Sequence, residues 1–188
     1  FHCPMRKEQV KWEESDVFNP AATVKDGKIV VLYRAEDNSA QGIGKRTSRI
    51  GYAESADGVT MKRLDSPVLF PGGDEFESIE CPGGCEDPRV AMTEDGLYVM
   101  LYTAWNRKTP RLAVATSKDL KNWTKHGLAF EKAYDGRFAR IATKSASILT
   151  KVKGGKLVID KVDGKYFMYW GEYAVHAATS DNLTDWYP

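Results

Sequence analysis

The amino-acid sequence predicts an all-β fold, because a strand and turn pattern recurs along it at an almost constant interval. A short run of small and apolar residues leads three times into a serine-led turn, and successive serines lie 62 and 63 residues apart. The three turns read SADGVTM (55–61), SKDLKNW (117–123) and SDNLTDW (180–186). A self-match at a fixed period of this length indicates a structural repeat.

Each repeat also contains a hairpin signal. An Asp-Gly dipeptide stands directly before a β-rich run that ends in an aromatic residue. The runs are DGKIVVLY (26–33), DGLYVMLY (95–102) and DGKYFMYW (163–170). Asp-Gly between apolar runs is the strongest short-range hairpin signal. We therefore predict four short antiparallel strands per repeat: an inner strand, the Asp-Gly turn, a middle strand, a third strand, and the serine-led turn into a fourth.

Four-stranded sheets that recur at a fixed period are typical of a β-propeller. A β-sandwich is the alternative, since it also consists of short strands with regular turns, but it does not predict a repeat. The three repeats predict blades over about 12–64, 80–126 and 140–188 of a single domain spanning 1–188. Because closing a propeller usually takes at least four blades, we expect this chain to be the N-terminal part of a longer propeller.

The composition excludes several classes of protein. With 188 residues, 42% hydrophobic and 28% charged, the chain is ordinary for a soluble globular protein with one core. Its formal net charge is +1, from 27 basic and 26 acidic residues, with no long run of either sign. We therefore expect no nucleic-acid or membrane partner. The compartment and the oligomeric state are not determined, although a periplasmic or secreted location is favoured over the cytoplasm.

The cysteines do not predict a metal site. Cys81 and Cys85 are close enough in sequence to pair or to remain free thiols, and Cys3 is left over. No cluster of His and Cys has the spacing of a zinc site, and we expect no metal and no cofactor.

Two polar residues stand just before predicted inner strands, each followed by proline. They are Asn19 in FNPAATV and Asp87 in EDPRVAM. Proline restricts the preceding residue to extended geometry, which aims its side chain in one direction. Because the leading ends of inner strands surround one mouth of a propeller, we expect these residues and the segment around Lys144 to lie at that mouth. An aimed carboxylate suits proton transfer; alternatively, both residues merely cap turns.

Several motifs, taken together in order and spacing, resemble glycoside hydrolase family 130, from about Trp12 to Trp186. They are FNPAATV, VLYRAED, TSRIGYAESADG, PGGCEDPRVAM, YTAWNRKTPRLAVATSKDLKNW and GKYFMYWGE. The resemblance implies a five-bladed β-propeller that acts on β-mannosides by phosphorolysis or hydrolysis. It also implies a protein nearly twice this length, of which about three blades are present here.

The resemblance assigns roles to residues of the first two repeats. Asp87 falls on the family's general acid, which in the phosphorylases is thought to act through a sugar hydroxyl that relays the proton. Asn19 and Arg34 resemble contacts to the mannose in the −1 subsite. Ser48 and Arg49 fall near the same mouth.

The third repeat decides between water and phosphate as the nucleophile. The family's phosphorylases bind phosphate with a lysine that opens the third inner strand and with a His-Arg pair. Lys144 can supply the lysine, followed by the insertion KVKGGKLVI (151–159), but Glu172 in WGE stands where the pair is expected. A carboxylate repels phosphate and suits activation of water. We therefore expect inverting hydrolysis, with Asp87 as acid and Glu172 as base about 6.5 to 9.5 Å apart.

Other interpretations remain open at this point. Arg34 could be an ion-pair partner of Glu36 or Asp37, and Glu172 could be a solvated acid at a strand end. The expected hydrolase releases mannose from a mannose-containing oligosaccharide, with the β-1,2 linkage favoured. Its alternatives are a β-mannoside phosphorylase that produces mannose 1-phosphate and a non-catalytic carbohydrate-binding propeller.

Overall fold

The structure is a computed structural model that describes residues 1–188, and it confirms the prediction of an all-β protein. It contains sixteen strands, one short α-helix and a 3-10 helix at Arg137–Arg140. The chain forms two compact units, one of Phe1–Pro88 with Ala104–Lys108 and the other of Arg89–Thr103 with Thr109–Pro188. No helix has the length and apolar character needed to cross a membrane.

The first unit follows the predicted order of strands. Its elements are β1 (His2–Cys3), β2 (Glu8–Gln9), β3 (Asp16–Lys25), β4 (Lys28–Glu36), β5 (Ser48–Ser55), β6 (Lys62–Arg63), α1 (Glu77–Glu80) and the first residues of β7 (Gly84–Met92). Strands β3 to β6 pair antiparallel with their sequence neighbours, while β1 and β2 form a separate hairpin. Trp12, Tyr33, Ala35 and Ala53 form a buried hydrophobic cluster in this unit.

The second unit contains the remaining strands and a larger core. The first two strands are shared with the first unit: the second unit contains the end of β7 and the part of β8 (Tyr98–Trp105) as far as Thr103. Its other strands are β9 (Pro110–Ser117), β10 (Thr124–Leu128), β11 (Ser147–Ile148), β12 (Thr150–Lys153), β13 (Lys156–Ile159), β14 (Lys161–Val162), β15 (Lys165–Trp170) and β16 (His176–Ser180). Strands β7, β8, β9 and β10 lie side by side in the sheet in the same order as in the sequence. Strand β15 pairs with β11, β14 and β16. The core of this unit includes Trp170 and Trp186.

The insertion in the third repeat folds as a hairpin. Strands β12 and β13 pair antiparallel and are joined at Gly154 and Gly155, which have φ values of 57° and 75°. Such positive φ values at both positions are what a tight two-residue hairpin turn requires. The insertion therefore separates β11 from β14 without interrupting the pairing of β11 with β15.

The Asp-Gly dipeptides form the turns that the sequence predicts. Asp26 and Gly27 connect β3 to β4 with φ values of 50° and 75°, and Asp163 and Gly164 connect β14 to β15 with values of 49° and 81°. These conformations match the right-handed twist of the flanking strands. The second repeat has a longer turn around Gly96, closed by a hydrogen bond from Thr93 N to Leu97 O at 2.8 Å.

The serine-led turns share one hydrogen-bond network, which explains the repeat in physical terms. If the serine is position 1 of the turn, its hydroxyl accepts from the backbone N–H groups of positions 3 and 4. The Asp or Asn side chain at position 3 accepts from the backbone N–H groups of positions 5 and 6. The acceptor pairs are Ser55 with Asp57, Ser117 with Asp119, and Ser180 with Asn182. These side chains replace the backbone partners that a tight turn lacks.

Ser117→Ala should destabilise the protein through this network. The change removes the acceptor of the Asp119 and Leu120 N–H groups, of which Leu120 is fully buried. We expect a loss of about 1 to 3 kcal/mol in the free energy of unfolding, measured by urea denaturation. Lys118→Ala, an exposed change in the same turn, is the control and should stay within about 0.5 kcal/mol. Equal stabilities of the two variants would contradict the structural role of the serine.

Candidate functional site

Asn19 and Asp87 share an unusual backbone conformation. Their φ values are 46° and 49°, and both residues lie inside strands, β3 and β7, rather than just before them. The expectation that proline would hold them extended is therefore wrong. The pairing of β3 with β4 skips from Phe18 to Ala21, so Asn19 lies in a β-bulge. Asn and Asp tolerate this left-handed conformation better than other non-glycine residues, and a bulge re-aims the side chain.

The third repeat places a different residue in this conformation. Ser145, just before β11 in the segment around Lys144, has a φ of 58°. Lys144 is therefore the residue immediately before the left-handed position.

Asn19 and Asp87 are in direct contact in the first unit. The Asn19 Nδ2 donates to Asp87 Oδ1 at 2.8 Å, and the Arg34 Nη1 donates to the same oxygen at 3.0 Å. Both bonds involve Oδ1, so Asp87 Oδ2 lies outside them. The side chain of Asp87 is 16% exposed, which leaves it accessible at the surface of this cluster. A carboxylate with one anchored and one free oxygen is oriented for proton transfer to a bound molecule.

Arg34 is the centre of this cluster and is almost fully buried, with 4% of its surface exposed. Its Nε donates to Ser48 Oγ at 3.0 Å, and its Nη2 donates to Glu36 Oε1 at 2.6 Å and to Glu86 Oε1 at 2.7 Å. Burial lowers the pKa of Arg34, but the carboxylates of Glu86 and Asp87 more than offset it, so the pKa lies above its usual value. Arg34 is therefore a permanent cation among carboxylates.

Additional contacts enclose the Arg34 cluster, by which we mean Asn19, Arg34, Glu36, Ser48, Glu86 and Asp87. The ring of Phe18 lies 4.6 Å from the Arg34 guanidinium carbon and covers one of its faces. Arg46 forms an ion pair with Asp16, and its Nη1 lies 3.6 Å from Glu36 Oε2. With three carboxylates around one central guanidinium, the cluster favours hydroxyl-rich and neutral ligands over anions.

A close approach of two strands brings β7 against this cluster. Ser48 at the start of β5 pairs with Gly84 at the start of β7, and Ser48 N donates to Gly83 O at 2.8 Å. Gly84 has a φ of 107°, and a Cβ atom there would overlap the carbonyl oxygen of Ser48. Glycine at position 84 is therefore required for Glu86 and Asp87 to reach Arg34.

Arg49 lies apart from the Arg34 cluster, although the sequence analysis placed it at the same mouth. Successive side chains of a strand point to opposite faces, and Ser48 precedes Arg49 in β5. Arg49 is fully buried, donates to Asp37 Oδ2 at 2.9 Å, and lies 3.3 Å from Cys3 Sγ. The three cysteines, Cys3, Cys81 and Cys85, are all free thiols. Arg49 thus anchors the N-terminal hairpin to β5.

The second unit contains the other predicted site residues, Lys144 and Glu172. The Lys144 Nζ lies 3.4 Å from Glu172 Oε1, and the Gly171 N–H donates to the backbone carbonyl of Lys144 at 3.0 Å. Gly171 has a φ of 118°, and a Cβ there would overlap the Ala174 carbonyl oxygen. The Glu172 side chain is 50% exposed, so it is available to solvent. The distance between the carboxyl groups of Asp87 and Glu172 stays a prediction made from the sequence.

Sequence reasoning missed the buried carboxylates Glu36 and Glu86 as members of the site. A usable signal was present, since Arg34 and Glu36 are two residues apart in β4 and therefore face the same side. Glu86 carries no such signal, because its position beside Arg34 depends on the contact between β5 and β7. The interpretation of Arg34 as an ion-pair partner was correct for Glu36, while Asp37 pairs with Arg49.

Comparison with models of known protein families places the chain in one of them. The family model Glyco_hydro_130, described as beta-1,4-mannooligosaccharide phosphorylase, matches residues 4–187. The chain belongs to glycoside hydrolase family 130. The resemblance read from the motifs is thereby confirmed.

Relatives within the family include both curated sequences and solved structures. The chain is 34% identical over 188 residues to a 1,2-beta-oligomannan phosphorylase of Thermoanaerobacter sp. (strain X514), covering 97% of this chain and 55% of that protein. A solved structure from Bacteroides ovatus ATCC 8483 is 78% identical with a TM-score of 0.95, covering 100% of this chain and 53% of that one.

A further solved structure is described with family 130 glycoside hydrolases that target beta-1,2 mannosidic linkages in Candida mannan. It is 63% identical with a TM-score of 0.97, covering 99% of this chain and 52% of that one. The chain therefore spans about half the length of the relatives it matches.

Removing the central cation should strongly destabilise the protein. Arg34→Ala leaves the Glu36 and Glu86 carboxylates buried without their guanidinium partner. We expect a loss of about 3 to 5 kcal/mol in the free energy of unfolding at neutral pH.

Denaturant titrations at neutral pH measure this loss. Arg63→Ala is the control, since its side chain is 59% exposed and pairs with Glu13 at 3.2 Å. That variant should lose at most about 1 kcal/mol, because exposed ion pairs contribute little. A loss for Arg34→Ala no larger than that of Arg63→Ala would contradict the structural role of the buried guanidinium.

Proposed function

We propose that the full-length protein is a glycoside hydrolase that releases mannose from β-mannosides by single-displacement inverting hydrolysis. The favoured substrate is a β-1,2-linked mannose-containing oligosaccharide. We further propose that the chain supplies about three blades, over 12–64, 80–126 and 140–188, of a single five-bladed β-propeller domain. Strands β3 to β6 pair in sequence order as predicted for one blade, which supports this architecture.

The observation that carries the choice of hydrolysis is the ion pair of Lys144 with Glu172. Phosphate is a dianion near neutral pH and needs several converging cations. The Glu172 carboxylate lies within 3.4 Å of the predicted lysine and offsets its charge. A half-exposed carboxylate in that position repels phosphate and can accept a proton from water. The relative described with β-1,2-mannoside hydrolases, at 63% identity, supports the same choice.

The proposed mechanism uses the two carboxylates in separate roles. Asp87 is the general acid, which transfers its proton toward the glycosidic oxygen, directly or through a sugar hydroxyl. Glu172 is the general base, which takes a proton from the water that attacks the anomeric carbon from the opposite face. The bond from carbon to the leaving oxygen breaks as the bond to water forms, so the configuration inverts.

The remaining predicted residues bind the substrate in this proposal. Asn19 and Arg34 lie beside Asp87 and would contact the mannose whose bond is cleaved, with Ser48 supporting Arg34. Lys144 would orient Glu172. Arg49 is left out of the proposed set, because it is fully buried on the other side of β5.

A phosphorylase is the second candidate function. Two curated relatives, at 34% and 31% identity, are phosphorylases of β-1,2-linked mannosides. Lys144 could then bind phosphate if residues beyond this chain supplied further cations.

Product analysis separates the two functions. The full-length enzyme is incubated with β-1,2-mannobiose in buffers with and without inorganic phosphate, and the products are identified by anion-exchange chromatography. We expect free mannose at the same rate in both buffers, because water is the nucleophile. Accumulation of mannose 1-phosphate, or dependence of the rate on phosphate, would establish the phosphorylase instead.

Amide substitutions test the two assigned carboxylates. Asp87→Asn keeps the shape of the side chain but removes its transferable proton, and Glu172→Gln removes the base. Each should lower kcat on β-1,2-mannobiose roughly 10²- to 10⁴-fold, while substrate still binds in a calorimetric titration. Asp26→Asn is the matched control, because Asn-Gly forms the same exposed hairpin turn as Asp-Gly. Near-normal turnover by Asp87→Asn would show that Asp87 is not the general acid.

A further inference from the structure

We propose that Glu36 is a positioning residue for catalysis, which orients the Arg34 guanidinium and limits how strongly it pairs with Asp87, without touching the sugar. This inference rests on the function proposed above and deepens it. Glu36 has no exposed surface, so a substrate cannot reach its carboxylate. Any effect of Glu36 on the reaction must therefore pass through the residues that it contacts.

The geometry around Arg34 shows what Glu36 holds in place. A guanidinium has five N–H donors, and four of those of Arg34 are used inside the protein. The acceptors are Ser48 Oγ, Asp87 Oδ1, Glu36 Oε1 and Glu86 Oε1. Because the guanidinium is planar and rigid, these acceptors fix its orientation and leave one N–H group for a ligand. The 2.6 Å bond to Glu36 is the shortest of the four.

The charge of Glu36 also affects how strongly Arg34 pairs with Asp87. One positive charge is shared among the carboxylates of Glu36, Glu86 and Asp87. If Glu36 were neutral, Arg34 would interact more strongly with the two that remain. A stronger attraction to Arg34 would draw the Asp87 carboxyl group away from a bound sugar. Glu36 thus keeps the contact between Arg34 and Asp87 at a strength that permits proton transfer.

The second oxygen of Glu36 supports a role beyond stability. Glu36 Oε2 is buried and accepts no hydrogen bond, and its neighbouring cation, Arg46 Nη1, lies 3.6 Å away. A buried carboxylate with an unsatisfied oxygen destabilises a fold relative to an uncharged side chain of the same shape. A negative charge kept in this position is therefore better explained by its effect on Arg34 than by packing.

The test uses Glu36→Gln in the full-length enzyme with two substrates. Glutamine preserves the shape and the accepting oxygen but removes the charge. The first substrate, β-1,2-mannobiose, needs an acid because its leaving group is a sugar alkoxide. The second, 2,4-dinitrophenyl β-mannoside, releases a stabilised phenolate and needs no acid. We expect kcat on mannobiose to fall roughly 10- to 100-fold, with less than about a threefold change on the aryl mannoside and in both KM values.

Glu13→Gln is the matched control, since it removes a carboxylate that pairs with Arg63 and accepts from the Tyr33 hydroxyl in the same unit. It should leave kcat on both substrates within about twofold. If Glu36→Gln does not fold, Glu36→Asp withdraws the carboxylate from Arg34 by about 1.5 Å and should show the same selective loss.

The outcomes distinguish this inference from the proposed function. A wild-type enzyme that cleaves neither mannoside overturns the proposed function and this inference with it. An active wild type overturns this inference alone if the folded Glu36 variant keeps normal kcat on mannobiose. Equal losses on the two substrates also overturn it, because they indicate a general structural defect. A selective loss on mannobiose at a melting temperature no lower than that of the wild type supports it.

Discussion

The candidate site depends on one buried cation. Arg34 interacts with three carboxylates and a hydroxyl that come from three different strands of the first unit, β4, β5 and β7. Removing a guanidinium from water is unfavourable unless nearly all its donors are paired, and here four of five are. The same bonds that compensate for its burial also orient Asp87. The stability of this unit and the geometry of the candidate site therefore depend on a single set of contacts.

The candidate site also depends on backbone irregularities. They turn two side chains away from the alternating directions that a regular strand would give them. Asn19 and Asp87 both adopt a left-handed conformation before proline, and their side chains meet at 2.8 Å. In a regular strand each side chain would point to one of two faces, set by its neighbours. The bulge at Asn19 and the close approach of Gly84 to Ser48 change that direction locally. The geometry that concentrates polar groups at one place thus comes from departures from ideal strand structure.

Charge compensation also bears on which nucleophile the proposed hydrolase would use. Lys144 is paired with Glu172, so its positive charge is largely neutralised within the second unit. An anionic nucleophile requires uncompensated cations, whereas water requires a proton acceptor. A single acidic residue in this position can therefore change which nucleophile is favoured while the fold remains that of the family.

Local patterns of sequence were sufficient to predict the all-β fold, the Asp-Gly turns at residues 26 and 163, and the repeated serine-led turns. These features depend on interactions between residues a few positions apart, which the sequence displays directly. Tertiary structure decided the conformation of Asn19 and Asp87, the position of Ser145 and the opposite orientations of Ser48 and Arg49. It also brought Glu86 to Arg34, because contacts between residues 52 positions apart depend on how strands pack and not on local spacing.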